Sequence, residues 1–371
     1  MRRWLSGIGR SAVAVAAVAL PAGATAQAQA RSQSQSADAP RPAPLLVDSL
    51  QQASLQEAFR VLRRRYLYRE MLTHEELNRA ALWGLLERLG SGARLIPESP
   101  PGGSGGAEPA WRLTSELLTP AIAYLRPAAF RSTELGALDI ALGAFARSPA
   151  EWLILDLRCP SAERDFDVAA EFAERFLPAN VVVFTVQRPG TDEPGMPYIS
   201  KRKAVWSKSL VLLVDSETCP VGELVAASLH HHVRPLVIGS RTPGETAQYE
   251  DVPLGRDARL QYAVAQAVME GGETYFQKGV PIGIPCPEDL DAKRKIFLAS
   301  QSEGVGKFFI EVPRPRMNEA ALVRRSNPEL PYQLARDARG ESPPETPAPI
   351  DRVLRQAVDV VVASAFFNPE R

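Results

Sequence analysis

The chain has 371 residues, 45% of them apolar and 23% charged, which suits a soluble globular protein with room for a large core. Its 43 basic and 43 acidic side chains balance to a formal net charge of zero. With no positive balance and no basic–aromatic cluster, nucleic acid is excluded as a partner class, and three cysteines without metal-ligand spacing give no zinc site.

Residues 1–30 read as a secretory signal. Arg2, Arg3 and Arg10 supply a positive start, Ser11–Leu20 a short apolar run, and Ala24-Thr25-Ala26 and Ala28-Gln29-Ala30 two small-x-small cleavage sites. The run is too short for a membrane span, so no integral membrane segment is expected, and no cysteine follows it to carry a lipid anchor. The expected location is the periplasm of a bacterium, or secretion beyond it. Residues 31–48, rich in Ala, Gln, Ser and Pro, form a disordered lead-in. Residues 49–97 then form a helical segment. Ser54 with Glu57, and Thr73 with Glu76, make two capping boxes. Leu55, Phe59, Leu62 and Tyr66 share one face of the first helix, and Leu77, Ala81, Gly84 and Leu85 one face of the second. These stripes read as core rather than partner surface, and Arg63-Arg64-Arg65 as a solvated face.

A Pro/Gly/Ser loop follows at 97–107. Trp111–Leu113 and Ile122–Leu125 are short strand candidates, and Phe130–Phe145 is helical. Trp152–Arg158, WLILDLR, is strongly β. Ala169, Phe172, Ala173 and Phe176 repeat at helical spacing, and Val181–Val186 is the next strand. Leu210–Val214 is a continuous apolar run, Glu223–Leu229 is helical, and Pro235–Ile238 is a further strand closed by Gly239. Strand, helix and strand make a βαβ unit with a parallel pair, so the fold class is α/β. The turn Asp215–Gly222 lies at the carboxyl end of a strand, where open α/β sheets hold their chemistry. Arg259–Val268 alternates weakly. Residues 336–349 are a Pro-rich linker, and 350–371 carry a last amphipathic helix with Val353, Leu354, Ala357, Val358 and Val361 on its inner face. That helix either closes the domain or pairs two subunits as a homodimer.

Lys208–Thr246 resembles the core of the tail-specific, or C-terminal-processing, serine peptidases (family S41). Members of that family carry a strand, a Ser-Ala-Ser-Ala-Ser-Glu turn, a helix, a strand and a Gly-x-x-Thr-x-Gly-Lys turn. The middle serine is the nucleophile and the lysine the general base. Here the first turn reads Ser216-Glu217-Thr218-Cys219-Pro220-Val221-Gly222-Glu223, and Pro220 occupies the nucleophile position. The second reads Gly239-Ser240-Arg241-Thr242-Pro243-Gly244-Glu245, and Glu245 occupies the lysine position. WLILDLR resembles the family's Leu-Asp-Leu-Arg strand, which normally continues Asn-x-Pro-Gly-Gly and lends a glycine N–H to the oxyanion. The continuation here is Cys159-Pro160-Ser161-Ala162-Glu163, without those glycines. Val252-Pro253-Leu254-Gly255, Gly271-Gly272 and Lys278-Gly279-Val280-Pro281 resemble the family's β-ribbon and its closing segment. The resemblance covers 120–285 well and 49–90 weakly. It implies a crotonase-like ββα core sheet with flanking helices, a β-ribbon and an N-terminal helical segment, an α/β domain at 108–335, and no room for the PDZ domain of many members.

A serine–lysine dyad needs a hydroxyl and a neutral amine. Pro220 and Glu245 supply neither, so no family catalytic residue is expected. Cys219 is a reserve nucleophile. A base for it would have to come from His230, His231 or His232, about 15 Å down the same helix at 1.5 Å per residue; these read instead as a solvated helix C-terminus. Asp215, Glu217 and Glu245 read as a polar rim, since nothing aromatic in the turns supports a glycosidase pair. The expected substrate-binding groove comprises Arg158, Asp215, Ser216, Glu217, Thr218, Cys219, Val221 and Gly222. Because the resembling fold sets the two cysteine-bearing turns close together, a Cys159–Cys219 disulfide is expected, with Cys286 as an alternative partner. No cofactor and no metal are expected. The function read from these residues is a secreted, non-catalytic, tail-protease-like protein that binds peptide or protein in the cell envelope. The alternatives are a hydrolase or peptidase using residues outside the dyad, and a structural subunit of an envelope complex.

Overall fold

The computed structural model describes residues 47–98, 111–191, 193–309 and 349–367. The signal, most of the lead-in and nearly all of the Pro-rich linker therefore lie outside the described residues. The chain divides into two compact units, residues 1–82 and 83–371.

In the first unit, α1 spans Gln52–Arg65, and α2 begins at His74 and runs on to Leu89 in the second. The Ser54–Glu57 capping box does not form. The helix starts earlier, at an N-cap Gln51 whose side chain makes no capping bond, and Glu57 pairs with Arg60 one turn on. Thr73 does cap α2, its hydroxyl oxygen accepting the Glu76 N–H at 3.1 Å. Neither helix contains a buried residue. The expectation that their apolar stripes are core is thereby corrected.

The second unit holds two sheets. β1 (Ala93–Pro97) follows α2 after a single turn at Gly90–Gly92, inside what the sequence reads as the end of a helical segment. The next strand is β2 (Thr114–Thr119), a few residues beyond the expected Trp111–Leu113; it forms an antiparallel pair with β3 (Ile122–Arg126). Then come α3 (Leu135–Arg147), β4 (Trp152–Asp156) and α4 (Phe166–Ala173), whose N-cap Asp165 accepts from the N–H groups of Asp167 and Val168. β5 (Val182–Gln187) and β6 (Met196–Ile199) follow, and then β7 (Ser209–Val214), α5 (Pro220–His232) and β8 (Leu236–Gly239). β9 (Ala247–Leu254) and β10 (Ala258–Val268) form the ribbon, with Gly255 in the left-handed region at its tip. β11 (Ile284–Pro285), α6 (Leu290–Glu303) and α7 (Arg352–Phe367) complete the order.

The main sheet runs β11-β8-β7-β4-β3-β2 and is parallel except for β2. Its central strands are buried on both faces, and for that reason β4 and β7 read as unbroken apolar runs rather than alternating ones. One face packs Leu153, Leu155, Leu210 and Leu212 against α3, α4 and α5 through Leu142, Phe172 and Leu224. The other presents Ile122, Tyr124, Ile154, Val211, Leu213 and Ile238 to Val353, Leu354, Ala357, Val358 and Val361 of α7. The inner face of α7 thus closes the domain. The second sheet is antiparallel. β10 is its centre, with β9 on one side and β1 and β5 on the other, and β6 lies beyond β5.

Candidate functional site

The parallel order brings the carboxyl ends of β4, β7 and β8 side by side, so the turns that follow them meet at one edge of the sheet. After β7, the chain enters α5 through Cys219, the N-cap, whose sulfur accepts the Gly222 N–H at 3.4 Å. Pro220 takes the first helical position. A helix leaves that N–H without an intrahelical partner, and the fixed φ of proline is already helical, so the local structure favours proline there. The same residue removes any side-chain nucleophile from the position.

Glu223, one turn into α5, is fully buried. It accepts hydrogen bonds from the Thr242 hydroxyl, from the Gly244 N–H at 2.7 Å and from the Glu245 N–H at 2.6 Å. The turn after β8 is therefore clamped to α5 by one carboxylate, although burial pushes that carboxyl up. Gly244 has φ +77°, and a Cβ there would sit 2.8 Å from the Gln277 backbone, so only glycine fits. The Glu245 side chain is 14% exposed and forms no rim, contrary to expectation. One of its oxygens accepts from Arg94 at 2.6 Å and the other from Arg164 at 2.7 Å. Both guanidinium groups also lie near the Tyr249 ring, 5.9 and 4.9 Å from its centroid. Burial, with the charge of Glu245, pushes the Tyr249 phenol up to about 12. Each oxygen of Glu245 thus has a cationic partner. Beside this triad opens a cavity of about 400 Å³, lined by Arg164, Arg188, Gln248, Tyr249, Glu250 and Gln261 among others.

Below the turns lies a buried ionic network. Arg158, fully buried just past β4, donates to Asp156 at 2.9 and 2.7 Å, to Asp351 at 3.2 and 2.7 Å, and to Glu288 at 2.7 Å. The Tyr124 hydroxyl donates to Asp156 at 2.7 Å. Burial alone would raise the Asp156 carboxyl, but the charge and hydrogen bonds of Arg158 outweigh it and hold the group below its usual range. Glu288 goes the other way. Burial, reinforced by Asp351 and Asp156, overcomes Arg158 and pushes it up to about 7. Lys293 of α6 is also fully buried and binds Asp215, Glu217 at 2.8 Å and the Arg158 carbonyl at 3.2 Å. Arg294 adds a second cation to Glu217. One helix therefore ties the turn after β4 to the turn after β7. The sequence reading missed both α6 and Lys293; the available signal was Asp289 at an N-cap position followed by the spaced Ile296 and Phe297.

Of the expected groove residues, Arg158, Asp215, Thr218, Cys219, Val221 and Gly222 are buried, Glu217 is half-buried, and Ser216 is exposed. Asp215 and Glu217 come together, but around Lys293 rather than facing a sugar cleft. Cys159 and Cys219 both lie in the buried core. Interaction with Cys219, with burial, pushes the Cys159 thiol well above its ordinary range. No disulfide joins them: Cys159, Cys219 and Cys286 are all free thiols, which corrects the expected pairing. In the turn where the resembling family has glycines, Glu163 is tied to Arg131 at 2.7 Å. The three histidines are half-buried and partnered rather than solvated. His230 meets the Tyr275 hydroxyl at 2.9 Å, His231 meets Glu273 at 3.3 Å, and His232 meets the Val183 carbonyl at 3.2 Å. Burial lowers the pKa of His230 and of His232. Among the described residues, no cluster of His, Cys, Asp or Glu is arranged to hold a metal ion, and no helix is long and apolar enough to cross a membrane.

Residues 121–285 match the model of peptidase family S41. The chain is 27% identical over 145 residues to a carboxyl-terminal-processing protease of Synechocystis, a match covering 39% of this chain and 33% of that one. It is 26% identical over 128 residues to the chloroplastic carboxyl-terminal-processing peptidase 1 of Arabidopsis thaliana, covering 34% and 26%. The matches thus span a third or less of these relatives. Among solved structures, a photosystem II D1 C-terminal processing protease aligns with 19% identity and a TM-score of 0.41, over 61% of this chain and 54% of that chain.

Proposed function

With residues 121–285 belonging to peptidase family S41, we propose that this chain is an exported, tail-protease-like protein of the bacterial envelope that binds peptide or protein without cleaving it by the serine–lysine route. One observation carries the reading: Pro220 takes the first helical position of α5 where a nucleophile would stand, while Glu245 is held between Arg94 and Arg164 where a base would stand. A third contribution is lost with the glycines after β4, and removal of one oxyanion donor costs about 10²–10³ in rate.

Binding does not need those side chains. β9 pairs only with β10 among the described residues, so its outer edge offers unpaired backbone groups beside the cavity that Arg164 and Tyr249 line. An extended peptide adding as a strand there would gain main-chain hydrogen bonds, with the cavity receiving a side chain. The test is an unbiased peptide-library digest read by mass spectrometry, run beside Cys219→Ala and Glu245→Ala variants and paired with a pull-down of the same library. No cleavage, with peptides retained on the parent protein, is the expected result. Cleavage that either substitution abolishes overturns the proposal.

A further inference from the structure

The neighbours of β9 fix which of its main-chain groups point outward. The Glu98 N–H donates to the Asp257 carbonyl, so residues 257, 259 and 261 turn their main-chain groups toward β1, and 258, 260 and 262 turn theirs toward β9. Across that ladder Glu250, Val252 and Leu254 face β10, while Tyr249, Asp251 and Pro253 face the open edge. Pro253 has no N–H to give, fits that parity and ends the run of outward donors. A strand added to this edge therefore bonds to Tyr249 and Asp251.

Side chains two residues apart share one face of a strand, and a chain of hydrogen bonds spans the face that carries Tyr249 and Asp251. Asp251 accepts from the Gln261 amide at 2.9 Å, Gln261 accepts from Arg94 Nε at 2.9 Å, and Arg94 shares Glu245 with Arg164. Arg164 is the open end of that chain. Its Nη2 is bound to Glu245, but its Nη1 is buried and has no acceptor among the described residues. Buried donors are rarely left so, because the group has lost its water without gaining a partner. The Arg164 guanidinium lies 4.9 Å from the centre of the Tyr249 ring, at the wall of the cavity of about 400 Å³. Residues paired across two strands set their side chains on one face about 5 Å apart, so the residue opposite Tyr249 delivers its side chain to Arg164. Glu250 does not compete, since it stands on the alternate face and accepts from the Tyr262 hydroxyl at 3.2 Å. Resting on the peptide-binding reading above, we propose that the strand residue opposite Tyr249 is a glutamate or aspartate, whose side-chain carboxylate accepts from Arg164 Nη1. The Arg164 side chain is 31% exposed, and a turn of it on the ring brings Nη1 to the cavity. A carboxylate is favoured over a neutral acceptor because its bonds to a guanidinium are charge-assisted, and a lysine there would meet a like charge.

Three pools of nine-residue peptides test it. Each is amidated at its C-terminus, has Glu, Gln or Lys at its centre, and has flanks randomised without acidic residues. Mass spectrometry counts what the immobilised full chain retains. The Glu pool should be held about 10-fold more tightly than the Gln pool, and the Lys pool least. Arg164→Gln should hold the Glu and Gln pools alike, with the Gln pool held as by the parent. If circular dichroism shows that variant unfolded, Arg164→Lys keeps a cation for Glu245 without the planar fork, and should lower the Glu preference. Equal retention of the three pools overturns this proposal and leaves the peptide-binding reading standing, whereas retention of none overturns both. A Glu preference that survives the Arg164 changes also overturns it. So does a Gln pool with free C-termini held as tightly as the Glu pool, since an end carboxylate would then be the group recognised.

Discussion

Replacing Arg158 by Met tests whether the buried ionic network holds the edge of the sheet together. The side chain is fully buried, and three carboxylates from separate parts of the chain converge on it: Asp156 at the end of β4, Glu288 before α6, and Asp351 before α7. Removing one member of a buried pair costs about 3–5 kcal/mol, because the partner is left as an uncompensated charge. Two of the three carboxylates keep some support: Asp156 still accepts from the Tyr124 hydroxyl, and Asp351 from the Leu354 N–H at 2.8 Å. Glu288, already pushed up to about 7, can take a proton at modest cost. The cost should therefore fall at the upper end of the single-pair range, about 5 kcal/mol, rather than at a multiple of it. Against a total stability of about 5–15 kcal/mol, that is a third or more. Equilibrium urea unfolding at neutral pH, followed by far-UV circular dichroism and by the fluorescence of the buried Trp206, measures the loss. Hydrogen exchange should show the amides of α7 deprotected first, since Asp351 both caps that helix and binds Arg158. A loss under about 1 kcal/mol, or unchanged exchange in α7, would refute the argument, because it would mean the carboxylates are solvated or neutral without the guanidinium.

Two further outcomes follow from groups whose protonation the fold shifts. The folded carboxyl of Glu288 is raised above its unfolded value, so the folded state holds the proton more tightly between the two pKa values. Stability from this group is present at and below the unfolded pKa and is lost as pH rises toward about 7; Glu288→Gln should remove roughly 2–3 kcal/mol of that loss between mildly acidic and mildly alkaline urea titrations. Equal pH slopes for parent and variant would count against it. Iodoacetamide near neutral pH should modify the half-buried Cys286 well before Cys159, whose thiol is buried and held well above its ordinary range beside Cys219. Peptide mapping that finds Cys159 alkylated as fast as Cys286 would contradict the buried thiol pair.

Much of the second unit was legible because strands buried on both faces must be apolar throughout. WLILDLR and LVLLV could hardly be anything else, and the spacing of strand, helix and strand dictated a parallel pair with its turns at one edge. The side chains of Pro220 and Glu245 were equally legible, since a proline carries no nucleophile and a glutamate no amine whatever surrounds them. The surroundings themselves were not legible. Glu245 looks like a rim residue until Arg94, from a strand 151 positions away, and Arg164, 81 positions away, are brought to its two oxygens. Arg158 and Asp215 look like groove residues until Glu288, Lys293 and Asp351 close over them. Such contacts depend on which distant segments the topology brings together, and no local period encodes that. The stripes of α1 and α2 show the converse. Helical periodicity reports that a face is apolar, but not what covers it, because a face buried within one chain and a face awaiting a second chain obey the same pattern of spacing. Sequence alone therefore determined which segments build the sheet. Only the tertiary structure decided which charges neutralise one another and which apolar faces stay exposed, since both are properties of the space between segments.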